Sequence, residues 1–269
     1  VPFRDAICGE CTYKCTILDC LRGLKYAMDL GWYNPKTFNV KEYEEYEKVD
    51  NGDMNWIIPG KFMAFSSPSP QEYDSDGYRV FTPKDYIPLF KKFGIKTVIR
   101  LNKPTYERND FIKNGINHLD LYFLDGSTPS EDIIDTFLET CENEKGAVAV
   151  HCKAGLGRTG SLIALYAMKH YRFPAAAFIG YIRICRPGSI LGPQQQFLIT
   201  QEPICFKKGD EYRKRKGLTD ELCLKMENIK ISSGKNKKGY SKKDEDILKH
   251  GDIGQGEGLV DSKKKKKEK

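Results

Sequence analysis

One run of residues carries most of the chemistry in this chain: His151-Cys152-Lys153-Ala154-Gly155-Leu156-Gly157-Arg158-Thr159-Gly160. Successive backbone N–H groups in a short glycine-containing loop can converge into a nest for an anion. A helix starting at Arg158 would add its unpaired amides and the positive end of its dipole. Gly155 and Gly157 permit backbone shapes and close approaches that side chains resist. The planar fork of Arg158 suits two oxygens of one phosphate. The same positive surroundings favour the thiolate of Cys152, which would then be aimed at phosphorus. Lys153, Ala154, Gly155, Leu156, Gly157 and Arg158 are therefore the expected phosphate loop and Cys152 the nucleophile. Thr159 follows, with a hydroxyl able to hydrogen-bond the sulfur and ease its departure.

Two more functions are needed for phosphate-ester hydrolysis. A general acid must protonate the leaving oxygen, and Asp120 and Asp125 are the candidates. Asp120 falls inside an alternating strand pattern. Asp125 falls at the strand's end before Gly126, where α/β sites form, and is preferred. A water must then be oriented against the cysteinyl phosphate, and the amides of Gln194, Gln195 and Gln196 open the last helical segment.

The elements that must hold these groups read as an α/β alternation. Thr16 to Asp19 starts a helix reaching Leu30, with Gly31 closing it. Residues 38–50 read as a short polar helix, broken by Asn51-Gly52-Asp53. A new unit opens at Trp56, with a strand over 61–65 and a Ser/Pro/Asp-rich surface loop over 66–77. Helices are expected over Pro83–Lys92 with Thr82 as cap, 107–113, 158–171, 174–185 and 193 to about 201. Strands are expected over 97–101, 117–123 and 147–150. Thr128-Pro129-Ser130-Glu131 reads as a capping box opening a helix to Asn143.

Composition bounds the rest. The net charge is +7, but the stretch from Lys207 to Lys269 holds 20 Lys/Arg against 12 Asp/Glu, so the remainder is close to neutral. A nucleic-acid reader would carry its basic patch on the fold itself, and no nucleic-acid partner is expected. Residues 206–269 read as a basic, disordered tail whose lysine blocks resemble a nuclear signal. Nine cysteines without regular spacing point to a reducing, intracellular compartment, cytoplasm or nucleus. Cys8, Cys11, Cys15 and Cys20 lack the paired spacing of common zinc sites, so no metal is expected; no other cofactor is required. No apolar run approaches the about 20 residues of a membrane span. The chain begins with Val1 and is expected to be a fragment.

The motifs V-H-C-K-A-G-L-G-R-T-G, F-L-D-G-S-T-P, R-I-C-R-P-G-S-I-L-G-P-Q-Q-Q-F-L and E-Y-E-E-Y-E-K-V-D-N-G-D-M-N-W-I-I-P-G-K-F resemble the cell-division-cycle-fourteen dual-specificity protein phosphatases, over Pro2 to about Phe197. The resemblance implies a dual-specificity phosphatase-like fold, with a mostly parallel central sheet flanked by helices. It implies that residues 1–37 end a preceding phosphatase-like domain, 38–50 form a linker helix and 51–205 are the catalytic domain. It assigns Cys152 as nucleophile, Arg158 as clamp, Asp125 as acid and one of Gln194–Gln196 as the water's partner. It implies phosphoserine or phosphothreonine followed by proline, with a downstream Lys or Arg meeting an acidic groove. Glu44 and Glu47 match that groove and share a helix face; Asp53 is a weaker match. The competing readings are a phosphoinositide phosphatase and an inactive phosphopeptide-binding scaffold. Against the first, the loop carries Leu156 where lipid enzymes have a second lysine; against the second, nucleophile, arginine and acid are all present.

Overall fold

A computed structural model describes residues 3–7 and 11–217. Five strands, β1 (Met54–Ile58), β2 (Phe62–Phe65), β3 (Ile95–Arg100), β4 (Asn117–Asp120) and β5 (Ala147–His151), form one sheet in the order β1-β2-β5-β3-β4. The β1–β2 pair is antiparallel and the other three pairings are parallel. Register aligns Phe65, His151, Arg100 and Asp120, the last residues of their strands. All four loops after them therefore emerge at one edge.

The central strands β2 and β5 are buried on both faces, and alternation divides their side chains. Phe62, Ala64, Val148 and Val150 join the larger apolar cluster with Phe137, Leu162 and Phe178. These come from α5 (Glu131–Asn143), α6 (Gly157–Tyr171) and α7 (Ala175–Cys185). Met63, Phe65, Ala147 and Ala149 face the other way against Tyr86, Phe90 and Phe111, from α3 (Pro83–Lys92) and α4 (Asn109–Ile112). This two-faced burial is what a largely parallel sheet requires.

α1 (Ile17–Asp29) is started by a Thr16/Asp19 capping box. It lies directly on α7: a Cβ on Gly23 would collide with the Ala177 carbonyl, and one on Gly180 with the Asp19 backbone. Residues 11–37 therefore pack on the same core as the sheet domain. α2 (Val40–Tyr46) is followed by a 3-10 turn over Val49–Asn51, so the continuous helix expected over 38–50 is divided. β1 was not expected as a strand. β4 stops at Asp120 rather than Phe123, although Leu121 and Phe123 still donate to the Arg100 and Leu101 carbonyls. The N-cap of α5 is Ser130, not Thr128, and Pro129 lies outside the helix.

The largest correction concerns the end of the catalytic unit. α8 runs Pro193–Lys216, well past 201 and past the 205/206 boundary. Cys205, Gly209 and Arg213 are buried, and Arg213 Nη1 donates to the Lys169 carbonyl at 3.2 Å. Residues 206–216 thus belong to the fold, capping the C-terminal end of α6. The tail reading for 218–269, with its lysine blocks, lies outside the described residues, as does Cys8. No helix among the described residues is long and apolar enough to cross a membrane.

Candidate active site

Cys152 sits between β5 and α6, and the loop's shape follows from where its carbonyls go. Lys153 O accepts from Ser67 N at 2.9 Å. Ala154 O and Gly155 O accept from Arg186 Nη2 and Nε at 2.9 and 2.8 Å. A peptide unit is planar and trans, so each carbonyl opposes the next residue's N–H. Three consecutive carbonyls turned outward leave the amides of Ala154, Gly155 and Leu156 facing the loop's centre. The first-turn amides of α6 add to them. Gly155 has φ +65, and a Cβ there would run into the Phe65 carbonyl. Only glycine fits.

Arg158, in the first turn of α6, is fully buried. Its Nη1 donates to Phe123 O at 2.9 Å and Leu101 O at 3.2 Å. Its Nε lies 3.3 Å from Asp125 Oδ1. The loop after β4 thereby brings Asp125 to the guanidinium of the phosphate loop. Asp120 has a different setting. Burial raises its pKa, but the hydrogen bonds and charge of Arg100 outweigh that and hold it below the usual carboxylate value. It accepts from Arg100 Nε at 2.6 Å.

A buried chain of hydrogen bonds backs the nucleophile. His151 Nδ1 is 2.9 Å from Cys152 O, an acceptor only, so Nδ1 carries the proton and Nε2 its lone pair. Tyr106 OH, 2.7 Å from His151 Nε2, must donate to it. His118 Nε2, 2.8 Å from the same hydroxyl, must then donate to the oxygen. Burial lowers His118 to about 4 and His151 to about 3, so both rings are neutral and the direction of the chain is set. Arg100 Nη1 holds the Tyr106 carbonyl at 2.7 Å.

Gln194 reaches the loop from α8. A Cβ on Gly157 would lie 2.8 Å from Gln194 Oε1, and Gln194 Nε2 donates to Ser127 O at 3.0 Å. Its Oε1 accepts from Leu191 N at 3.0 Å, so the amide packs against Gly157 of the phosphate loop while holding the segment that carries Asp125.

Comparison with known proteins places the chain among related sequences. A family model described as "Polymorphic toxin system, DSP-PTPase phosphatase" matches residues 78–172. Human dual specificity protein phosphatase CDC14A is 47% identical over 272 residues, covering 98% of this chain and 46% of that protein. Mouse CDC14A is 54% identical over 215 residues, 80% of this chain and 36% of its own length. The tyrosine-protein phosphatase cdc-14 of Caenorhabditis elegans is 46% identical over 206 residues, 77% of this chain and 29% of its own. The chain belongs to the CDC14 phosphatase family. It spans less than half the length of these relatives.

Within this CDC14 chain the remaining expected site residues separate. Thr159 is buried, and its hydroxyl has no hydrogen-bond partner among the described residues. Gln195 is turned away from the loop: Nε2 donates to Asp5 Oδ2 at 2.9 Å and Oε1 accepts from Arg183. Gln196 is exposed. Of the three amides only Gln194 meets the loop. Asp53 is not a groove residue: it is buried, and its carbonyl and Oδ1 accept from Arg186 Nη1 at 2.9 and 3.1 Å. Glu44 and Glu47 are exposed on α2 and its C-cap. α2 is anchored by Tyr43 OH donating to Cys185 O at 3.0 Å. Burial, then neighbouring Glu47, push the Tyr43 phenol above its ordinary value. A cavity of about 560 Å³ between α2, β1 and α7 is lined by Glu42, Tyr43 and Trp56 but by no residue of the phosphate loop.

Sequence reasoning missed Arg186, Tyr106, His118 and Arg100, the residues that shape the loop from behind. Arg186 stood in the R-I-C-R-P-G motif without a role; Tyr106 and His118 carried no local signal.

Proposed function

We propose that this chain is a cysteine-dependent protein phosphatase that forms a cysteinyl-phosphate intermediate. The observation that carries it is the Arg158–Asp125 contact at 3.3 Å, directly beside the loop that begins at Cys152. A phosphate entering the amide nest takes the Arg158 fork, and Asp125 is left next to the ester oxygen. Cys152 Sγ attacks phosphorus, the P–O ester bond breaks, and Asp125 protonates the departing oxygen. In the second half, Gln194 orients a water, Asp125 accepts its proton, and Thr159 hydrogen-bonds the leaving sulfur.

The proposed substrates are phosphoserine and phosphothreonine followed by proline, with a downstream Lys or Arg, and phosphotyrosine. Glu44 and Glu47, exposed on the anchored α2, support attraction of the basic residue. The family's cell-division role and an intracellular, cytoplasmic or nuclear location are part of the same proposal, as is the assignment of residues 1–37 to a preceding domain and 38–50 to a linker. Rapid quench with a labelled phosphopeptide should show label on Cys152 alone, and Cys152→Ser should bind the peptide without turning it over. Label on another residue, or near-normal turnover by Cys152→Ser, overturns the reading. Glu44→Lys with Glu47→Lys should raise KM for peptides with a downstream Lys; an unchanged KM removes the acidic groove.

A further inference from the structure

Cys15 and Cys20 flank the start of α1, one residue before its Thr16 cap and in its first turn, with sulfurs 3.9 Å apart. Cys15 is fully buried and Cys20 half-buried. Among the described residues the other buried cysteines are Cys141, Cys205 and the nucleophile Cys152. We propose that Cys15 and Cys20 form a reversible oxidation site that closes to a disulfide under a peroxide, separate from the catalytic thiol.

The geometry already supplies the pairing. A disulfide needs sulfurs at about 2.05 Å, so the two sulfurs, already 3.9 Å apart, must close by less than 2 Å. Cys20, the less buried of the two, meets the oxidant: its sulfur attacks a peroxide oxygen, the O–O bond breaks, and water leaves with a sulfenic acid on Cys20. Cys15 then attacks the Cys20 sulfur, the S–O bond breaks, and a second water leaves. Two thiols and one hydrogen peroxide thus yield one disulfide and two waters. Burial raises the Cys15 thiol to about 12, which slows this second step and keeps the pair reduced under brief exposure. The site also sits at a structural junction. Cys15 O accepts from Phe3 N, Phe3 O accepts from Arg183, and Arg183 holds Gln195 and the Ile190 carbonyl.

The test uses the full chain as Cys152→Ser, which removes the catalytic sulfur, treated with hydrogen peroxide and digested with trypsin under alkylation. Cleavage after Lys14 and Arg22 leaves both cysteines on one peptide. The expected result is loss of two hydrogens from that peptide, growing with exposure and reversed by dithiothreitol, while Cys141 and Cys205 stay alkylatable on unfolding. Cys20→Ser should leave Cys15 as a thiol under the same treatment. Oxidation of Cys20 to sulfinic acid with Cys15 still reduced, or pairing of either residue with Cys11, overturns the proposal.

Discussion

Tyr106→Phe removes one oxygen and nothing else, and the hydrogen-bond chain behind Cys152 states what should follow. The hydroxyl serves His151 Nε2 at 2.7 Å and His118 Nε2 at 2.8 Å, all three side chains being buried. Its loss leaves an acceptor on one ring and a donor on the other without partners. At about 1–3 kcal/mol for each buried polar group left unmet, the two together should cost the variant about 2–6 kcal/mol. That is a large share of the about 5–15 kcal/mol that holds a domain together. Urea unfolding at pH 7.5 measures it directly. Ring-nitrogen NMR adds a readout that packing alone would not move. In the parent, His151 should carry its proton on Nδ1 and His118 on Nε2. In the variant, His118 is free to move its proton to Nδ1, which lies 3.9 Å from Asp120 Oδ2. A stability change within about 0.5 kcal/mol, the range of substitutions that touch nothing important, would refute the chain. So would a parent spectrum with the proton of His151 on Nε2.

Gly155→Ala should lose turnover and more stability than the about 1–2 kcal/mol of left-handed backbone alone, because the added methyl also meets the Phe65 carbonyl; phosphopeptide kinetics with thermal unfolding would show both. Asp125→Ala should slow peptide hydrolysis far more than Asp120→Ala. The Asp120 variant should instead lose stability, by less than the about 3–5 kcal/mol of a fully buried pair because Asp120 is 31% exposed; the reverse pattern moves the acid to Asp120. Acidification should destabilise the fold between about pH 6.5 and 4. His118 and His151 are lowered from 6.5 to about 4 and about 3 in the folded state, so the unfolded chain binds more protons in that window and stability rises with pH across it. Urea midpoints at pH 7.5 and 5 should show the drop, and His118→Gln should reduce it.

What was legible in the sequence is what is encoded locally. The phosphate loop depends on glycine positions and on one strand–loop–helix junction, all within a dozen residues. α3 was readable to the residue, since Thr82, Pro83 and Asp85 mark its start and Gly94 follows its end. What was missed depends on partners distant in the chain. Asp53 looked like an acidic groove residue because Arg186, which buries it, lies 133 positions away. Gln194 and Gln195 are adjacent and chemically identical; Asp5 and Arg183 turn one of them away. From the sequence α8 reads only to about 201, with a basic tail from 206, yet Gly209 and Arg213 dock on the end of α6.

Arg158, Arg183 and Arg186 are the largest fully buried side chains in the fold. Their charge lies in a medium that mobile ions do not enter, whereas Glu44 and Glu47 stand in open solvent, where screening at ordinary ionic strength acts over about 8–10 Å. On the proposed reading, the phosphoryl group and the basic neighbour would be held by charges of unequal sensitivity to electrolyte. Rising salt should blunt the preference for a basic neighbour well before it weakens the grip on the phosphoryl group, so selectivity fades while capacity for hydrolysis persists.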